Sequence, residues 1–206
     1  MNLRRHVLAL FAAIPFLPAT VKAQSGALKA TPQDTLGPFY PPQWTGEIDA
    51  DLVSLGGKDY LQGTPLALSG RVLAISGAPI SNATVEIWQT DATGKYRHPG
   101  DDGEGPAKRG FQGFGRSPVD ADGRYAFRTI KPVLYSGRPP HVHFKVIAPG
   151  YRNLVTQMYF AGESTERGGP FGFSRERDRL TVTPVALRNG DRSSLSARFD
   201  LVLEKA

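Results

Sequence analysis

Glycine and proline occur so often in this chain that they limit the length of any regular element. The 206 residues include 23 glycines and 17 prolines. Because both residue types end helices and favour turns, this density argues against a helical bundle and favours many short strands. Hydrophobic residues still make up 40% of the chain, a fraction typical of a chain with a packed core.

Several segments carry strand-like sequence rich in β-branched and aromatic residues, and turn residues such as Asp122-Gly123 separate them. The predicted strands cover residues 66–75, 83–90, 124–130, 141–148, 153–160, 180–187 and 195–203. No long helix is indicated, so we predict an all-β fold, a two-sheet antiparallel β-sandwich. Residues 97–119 are predicted to form a long glycine-rich loop, and a loop of that length in a compact domain is usually functional.

The first 23 residues have the pattern of an export signal. Arg4 and Arg5 precede an apolar run at residues 7–17, small residues follow, and cleavage is predicted after Ala23. The run is about half as long as a membrane helix, so no membrane span is predicted. We expect a periplasmic or extracellular protein. The Arg4-Arg5 pair is compatible with the twin-arginine route and with an ordinary Sec signal.

The predicted organisation has three parts: the signal peptide at 1–23, an irregular N-terminal arm at 24–65, and the β-sandwich domain at 66–206. Of the 25 basic residues, Arg4, Arg5 and Lys22 lie in the signal peptide, which leaves 22 against 19 acidic residues. So small an excess does not indicate a nucleic-acid partner. It is compatible with an anionic small molecule.

The candidate metal ligands must be residues other than cysteine, because the sequence contains none. That absence excludes disulfides, iron–sulfur clusters, zinc-thiolate sites and a cysteine nucleophile. His141 and His143 stand two apart in a predicted strand, so both imidazoles project from one face, while Val142 and Phe144 lie on the opposite, core-like face. Such a pair serves either as metal ligands or as surface or hydrogen-bonded core residues.

Two tyrosines lie in loops from which they can reach the strand ends. Tyr96 follows Gly94, and Tyr135 stands in a stretch that contains Gly137 and several prolines. Each ring could instead fill a core or rim position, and His98, two residues after Tyr96, is a rival ligand. Phenolate is a hard anionic donor that suits ferric iron better than zinc or copper.

Six segments, in order, resemble the intradiol ring-cleavage dioxygenases, specifically the protocatechuate 3,4-dioxygenase type. The most specific is the run Arg-Pro-Pro-His-Val-His at 138–143, which follows an isolated tyrosine. The resemblance spans about residues 31–165. The matching segments are residues 35–40, 83–89, 94–98, 114–132, 138–144 and 157–160.

The resemblance implies a β-sandwich enzyme that uses Fe(3+) and O2 to cleave a catechol ring between its two hydroxyl-bearing carbons, giving a cis,cis-muconate-type diacid. It implies metal ligands at Tyr96, Tyr135, His141 and His143, with the second tyrosine leaving the metal when substrate binds. It implies catalytic and substrate-binding roles for Arg138, beside the ring, for Gln157 in the same pocket, and for Gly37 and Pro38 in a strip that covers the substrate.

An informative departure from the family pattern lies directly after Tyr135. Only Ser136 and Gly137 separate Tyr135 from Arg138, where protocatechuate and catechol enzymes usually carry a longer loop. We therefore expect a more open site. The sequence leaves open whether the substrate is catechol, protocatechuate, hydroxyquinol or a larger lignin-derived catechol, and whether the chain forms a homo-oligomer. The export signal predicts a single-chain relative.

Two other functions are weighed against this one. Residues 66–89 also resemble transthyretin-like and carbohydrate-binding modules, which would make the chain a non-catalytic binding protein. A divalent-metal hydrolase would use His98, His141 and His143 with a carboxylate such as Asp102. Substitution of Tyr135 separates these functions, because it should disturb the metal only in a dioxygenase.

Overall fold

The structure, a computed structural model, describes residues 26–41, 43–44, 46–163, 175–189 and 192–206. The signal peptide predicted at 1–23 lies outside these residues. Within them, no helix is long and apolar enough to cross a membrane. The elements are β1 (Ser54–Leu55), β2 (Lys58–Asp59), β3 (Thr64–Ala74), β4 (Thr84–Trp88), α1 (Gly105–Lys108), β5 (Phe114–Pro118), β6 (Arg124–Lys131), β7 (His141–Ile147), β8 (Leu154–Phe160), α2 (Arg175–Arg179), β9 (Thr181–Val182), β10 (Val185–Asn189), β11 (Arg192–Arg198) and β12 (Leu201–Leu203).

Two five-stranded sheets form a β-sandwich, which confirms the predicted all-β class. One sheet, here called the histidine sheet, has the order β5-β4-β7-β8-β9. The other, called the second sheet, has the order β10-β11-β3-β12, with β6 on the other edge of β3. Most neighbours are antiparallel, as predicted. However, β3 runs parallel to β11 and β12, and β8 runs parallel to β9.

The core lies between the sheets and is built by period-two alternation. On β7, Val142, Phe144 and Val146 are fully buried in the main apolar cluster, as predicted, and Leu66 and Leu68 of β3 enter it from the second sheet. Burying each such side chain stabilises the fold by roughly 1.5–3 kcal/mol. The other face of β7 is thereby left to the two histidines.

The last two predicted strands are each broken in the structure. The segment predicted at 180–187 divides near Pro184, so that β9 pairs with the histidine sheet and β10 with the second sheet. The segment predicted at 195–203 divides at Phe199, whose carbonyl accepts the Tyr125 hydroxyl. Gly70 of β3 passes so close that a Cβ there would lie 2.0 Å from the Phe199 carbonyl oxygen. Only glycine permits that approach.

The stretch predicted as a single loop at 97–119 contains two elements, α1 and β5. Strand β5 pairs with β4 along its whole length, from Phe114 opposite Trp88 to Pro118 opposite Thr84. Its glycine and its proline give it little strand-like character in the sequence, so it becomes a strand through its pairing with β4. The segment 91–113 lies between β4 and β5, contains α1 and carries Tyr96.

The N-terminal arm is ordered by contacts along the edge and outer face of β8. The Gln33 amide accepts the N–H of Val155 and donates to the carbonyl of Asn153, and the N–H of Asp34 donates to the carbonyl of Val155. Farther along the stretch predicted to be irregular, β1 and β2 form a small hairpin. The arm therefore forms a third layer over the outer face of the histidine sheet.

Candidate active site

The outer face of the histidine sheet carries a row of functional side chains in cross-strand register. Trp88 of β4 stands opposite His143 of β7, which stands opposite Gln157 of β8. His141 stands opposite Tyr159 in the same way. All five side chains are at least nine-tenths buried. Cross-strand neighbours on one face lie close enough to contact each other, so the sheet alone brings these groups together.

Tyr96 reaches this face from the loop, and a buried carboxylate organises the loop. Asp91 is fully buried; one of its oxygens accepts the N–H groups of Thr93 and Lys95. Its other oxygen accepts from Arg109 at 2.7 Å. The N–H of Tyr96 itself donates to Asp101 at 2.7 Å. These charge-assisted bonds fix the backbone that aims the Tyr96 ring at the histidines.

Three atoms that could bind a metal lie close together. The hydroxyl oxygen of Tyr96 lies 3.2 Å from Nε2 of His141 and 3.1 Å from Nε2 of His143. Nδ1 of His141 lies 2.7 Å from the carbonyl oxygen of Pro139, so a proton on Nδ1 leaves the lone pair on Nε2. Trp88 stacks on His143 with ring centroids 4.8 Å apart and planes 10° apart.

Burial sets the protonation of these groups. It lowers the pKa of His141 to about 4, with a further contribution from the Arg138 cation. It also lowers the pKa of His143 well below its usual value, and the neighbouring His141 adds to that effect. Both imidazoles are therefore neutral at pH 7. Burial raises the pKa of Tyr96 well above 10, so this phenol keeps its proton unless a bound cation replaces it.

Tyr135 lies beside Tyr96, its ring edge-on at 5.2 Å between centroids. A two-residue turn joins it to Arg138, closed by N–H···O bonds in both directions of 3.2 and 2.8 Å. Ser136 and Gly137 at the tip have φ values of +46° and +75°, as in a type I′ hairpin. The short connection noted in the sequence is thus a defined turn that couples the second tyrosine directly to the arginine.

Arg138 and Gln157 contact each other directly. The guanidinium Nη2 of Arg138 donates to Oε1 of Gln157 at 2.7 Å. Nε2 of Gln157 donates to the carbonyl of Thr35 in the arm at 2.7 Å. The arginine is therefore held beside the histidines by a side chain on β8.

The arm covers the site through Gly37 and Phe39. A Cβ on Gly37 would lie 3.1 Å from Cε1 of His143, and its φ is +70°, so a side chain here would be both strained and crowded. Phe39 stacks on Tyr96 at 4.6 Å and meets Tyr135 edge-on at 5.5 Å. Pro38, predicted with Gly37 to cover the substrate, lies between these two residues in the chain and is exposed.

The structure does not bring the alternative hydrolase ligands together. His98 contacts the edge of Phe39, and its Nδ1 accepts the N–H of Gly100. Asp102 pairs with Arg109. No cluster of three or more histidine, aspartate or glutamate side chains suited to a metal occurs in the described part of the chain.

Sequence reasoning missed Trp88, Phe39 and Tyr159 as parts of the site. Tyr159 and Trp88 could have been found from the alternation of residues along their strands. Tyr159 shares a face with Gln157 on β8, and Trp88 lies on the face of β4 opposite to the buried Ile87. Phe39 had no local signal, because the arm is not a regular element.

The donor set fits ferric iron. Tyr96 and the two histidines present one phenol oxygen and two neutral imidazole nitrogens within hydrogen-bond distance of each other, and the Tyr135 ring lies alongside. Hard phenolate oxygen combined with imidazole suits a trivalent hard cation.

Comparison with known proteins identifies relatives of this chain among the dioxygenases. The family model described as Dioxygenase matches residues 35–205. The chain is 37% identical over 191 residues to a protocatechuate 3,4-dioxygenase beta chain from Burkholderia cepacia, with 85% of this chain and 80% of that protein covered. It is 33% identical over 163 residues to catechol 1,2-dioxygenase 2 of Acinetobacter lwoffii, covering 69% of this chain and 55% of the relative.

A solved structure agrees in fold. It is the dioxygenase domain of a dioxygenase and carbohydrate-binding protein fusion from the cellulolytic bacterium Streptomyces sp. SirexAA-E. The TM-score is 0.66 at 30% identity, and the match covers 86% of this chain and all of that domain. The two proteins therefore share one fold over most of this chain.

Proposed function

The chain belongs to the intradiol ring-cleavage dioxygenase family, and from this premise we propose that it is an Fe(3+)-dependent enzyme that cleaves catechol-type aromatic rings. The ring opens between the two hydroxyl-bearing carbons. Both atoms of O2 are incorporated, and the product is a cis,cis-muconate-type diacid. The observation that carries the proposal is the approach of the Tyr96 hydroxyl to Nε2 of both histidines within 3.2 Å.

The residues that would hold the iron are Tyr96, Tyr135, His141 and His143. Ferric iron bound there supplies Lewis acidity toward the two oxygens of a catechol. The histidines contribute neutral donors, because burial keeps both imidazoles in their uncharged form at pH 7. Gly37 and Phe39 cover the site and exclude water from it.

The two tyrosines have different roles because their surroundings differ. Tyr96 is 3% exposed and its backbone is held by Asp101, so it is the permanent ligand. Tyr135 is partly exposed and next to a tight turn, so it is the one able to leave. With iron bound, a Tyr135 phenolate that left the metal would take up one of the two catechol protons and a solvent-derived hydroxide would take up the other, so that the net charge of the site would not change.

Arg138 is the electrostatic residue of the reaction. Its guanidinium is held by Gln157 at the edge of the ligand cluster, beside the position where the ring would lie. A fixed cation there stabilises negative charge as it develops on the ring, and it does so without reorganisation. Gln157 keeps that cation in place and lines the same pocket.

The test is the visible spectrum of the iron-loaded protein before and after catechol is added without oxygen, followed by oxygen uptake. Phenolate-to-iron charge transfer should give a red-brown colour that shifts to longer wavelength with catechol. Tyr96→Phe should lose most of the band, whereas Tyr135→Phe should keep part of it. A protein that binds iron and stays colourless, or one that consumes no oxygen with any catechol, would refute the proposal.

We also propose that the protein is exported to the periplasm or beyond. The support is the basic start, short apolar run and small-residue end of residues 1–23. N-terminal sequencing of protein recovered outside the cytoplasm should begin at Gln24. A protein recovered only from the cytoplasm with residue 1 intact would contradict this.

A further inference from the structure

Tyr159 is a nearly buried tyrosine that the proposed mechanism does not use. It lies on β8 two residues after Gln157, on the same face, and only 5% of it is exposed. Its hydroxyl lies 2.9 Å from Oε1 of Gln157 and 2.9 Å from Oδ2 of Asp34. The tyrosine therefore touches the residue that holds Arg138 and a carboxylate of the arm at once.

Gln157 has an amide whose orientation matters. Its Oε1 accepts from Arg138 and its Nε2 donates to the Thr35 carbonyl, both at 2.7 Å. If the amide rotated by half a turn, its NH2 group would face the guanidinium and its oxygen would face a carbonyl. Both contacts would be repulsive, because donor would meet donor and acceptor would meet acceptor.

The Tyr159 hydroxyl favours the orientation that binds Arg138. Its single O–H hydrogen lies between two acceptors, Oε1 of Gln157 and Oδ2 of Asp34, so it supports Oε1 as an acceptor through a hydrogen bond that it shares with the arm carboxylate. The Arg177 guanidinium lies 4.0 Å above the Tyr159 ring and fixes the ring from the α2 side by a cation–π contact.

We propose that Tyr159, held by Asp34, is a positioning residue that sets the Gln157 amide and through it the Arg138 guanidinium for ring cleavage. This inference rests on the proposed function. It predicts that the arm acts on the chemistry through a hydrogen-bond chain as well as by covering the site. The order of that chain is Asp34, Tyr159, Gln157, Arg138.

The test is a double-mutant cycle on catechol cleavage. Tyr159→Phe should lower kcat/KM by about tenfold, the effect of one lost hydrogen bond to a functional group, with most of the change in kcat. In a Gln157→Ala background the same substitution should change kcat/KM by less than about twofold, because the residue it acts through is gone. Equal factors in the two backgrounds would overturn the proposal.

Tyr125→Phe is the matched control. Tyr125 is also a buried tyrosine whose hydroxyl donates one hydrogen bond, but it does so in the second sheet, to the Phe199 carbonyl. This variant should be less stable and keep its kinetics. If Tyr125→Phe lowers kcat as much as Tyr159→Phe does, the effect is general destabilisation and the positioning role is wrong.

A structural readout separates this inference from the proposed function. In a crystal structure of Tyr159→Phe, the distance from Arg138 Nη2 to Gln157 Oε1 should exceed its 2.7 Å value, or the amide should be rotated. If the wild-type protein cleaves no catechol, the proposed function fails, and the crystal structures still decide the positioning. An unchanged Gln157–Arg138 pair in the variant would overturn it.

Discussion

The two faces of the histidine sheet are made from alternate residues of the same strands, yet they are fixed by different forces. On the inner face of β7, Val142, Phe144 and Val146 are held by apolar packing alone. On the outer face, His141 and His143 are held by hydrogen bonds and ring stacking, under an arm that has little regular structure. Alternate residues of one strand therefore serve different purposes, with one set stabilising the core and the other forming the candidate site.

The largest expected effect is on the outer face. His143→Gln should abolish stoichiometric iron binding and lower catechol cleavage by more than the ~100-fold typical of losing an outer partner of a metal site. Iron analysis of the purified protein and oxygen uptake measure the two effects. Because the inner face is untouched, the variant should remain folded by circular dichroism. Wild-type iron content in the variant would contradict the assignment.

On the inner face, Phe144→Ala should cost about 3–5 kcal/mol of unfolding free energy, because a fully buried ring leaves a cavity. Urea denaturation measures the loss. The folded fraction of this variant should keep the visible spectrum and the kcat of the wild-type protein. A spectrum lost in parallel with stability would show that the two faces are not independent.

A smaller effect is expected where the arm is tied to the sheet. The Tyr40 hydroxyl donates to the buried Glu86 carboxylate at 2.8 Å and accepts from Lys145 at 2.9 Å. Tyr40→Phe should cost about 1–3 kcal/mol, since both charges lose a partner. Tyr151→Phe, at a half-buried position, should cost less than about 0.5 kcal/mol. If the two variants lost equal unfolding free energy in urea denaturation, the Tyr40 contacts with Glu86 and Lys145 would not stabilise the outer face.

Alkaline pH should weaken the second sheet through Tyr125. Burial raises the pKa of this tyrosine well above 10 in the folded protein, so its stabilising contribution is full below about pH 10, the unfolded value. It is lost as the pH rises further, because only the unfolded chain then releases the proton. Urea unfolding between pH 8 and pH 11 should show a shallower decline for Tyr125→Phe. Identical slopes would refute this.

The smallest effect is expected at the turn that joins Tyr135 to Arg138. Ser136 has a φ of +46°, a conformation that asparagine tolerates better than serine in this turn type. Ser136→Asn should raise the unfolding free energy by roughly 0.5 kcal/mol, and Ser136→Val should lower it, since β-branched residues are strained there. In thermal denaturation, the midpoint should rise for Ser136→Asn and fall for Ser136→Val. Midpoints that move in the same direction would contradict the turn assignment.

The local sequence pattern was enough to predict those features that depend only on residues adjacent in the chain. The alternation on β7 placed His141 and His143 on one face and Val142 and Phe144 on the other. The motif at 138–143 carried the family resemblance. Period-two geometry follows from the backbone of a strand, so no long-range contact is needed to obtain it.

Other parts depended on contacts that sequence does not display. The segment 114–118 becomes a strand only because β4 offers it a partner, and the predicted strand at 195–203 is broken at Phe199, where the chain passes close to Gly70. Tyr96 is 45 residues from His141 in the chain. It reaches the histidines through a loop organised by Asp91 and Arg109.

The all-β class, the alternation of the histidine strand and the absence of thiol chemistry therefore follow from the sequence alone. So do the residues that resemble a ferric site. The tertiary structure alone decided how the arm covers that site, which tyrosine is anchored and which lies at a turn, and that Tyr159 and Asp34 reach Gln157. The physical reason is that alternation is a property of one strand. Bringing site residues together from the arm, from loops and from three strands depends on packing between segments far apart in the chain.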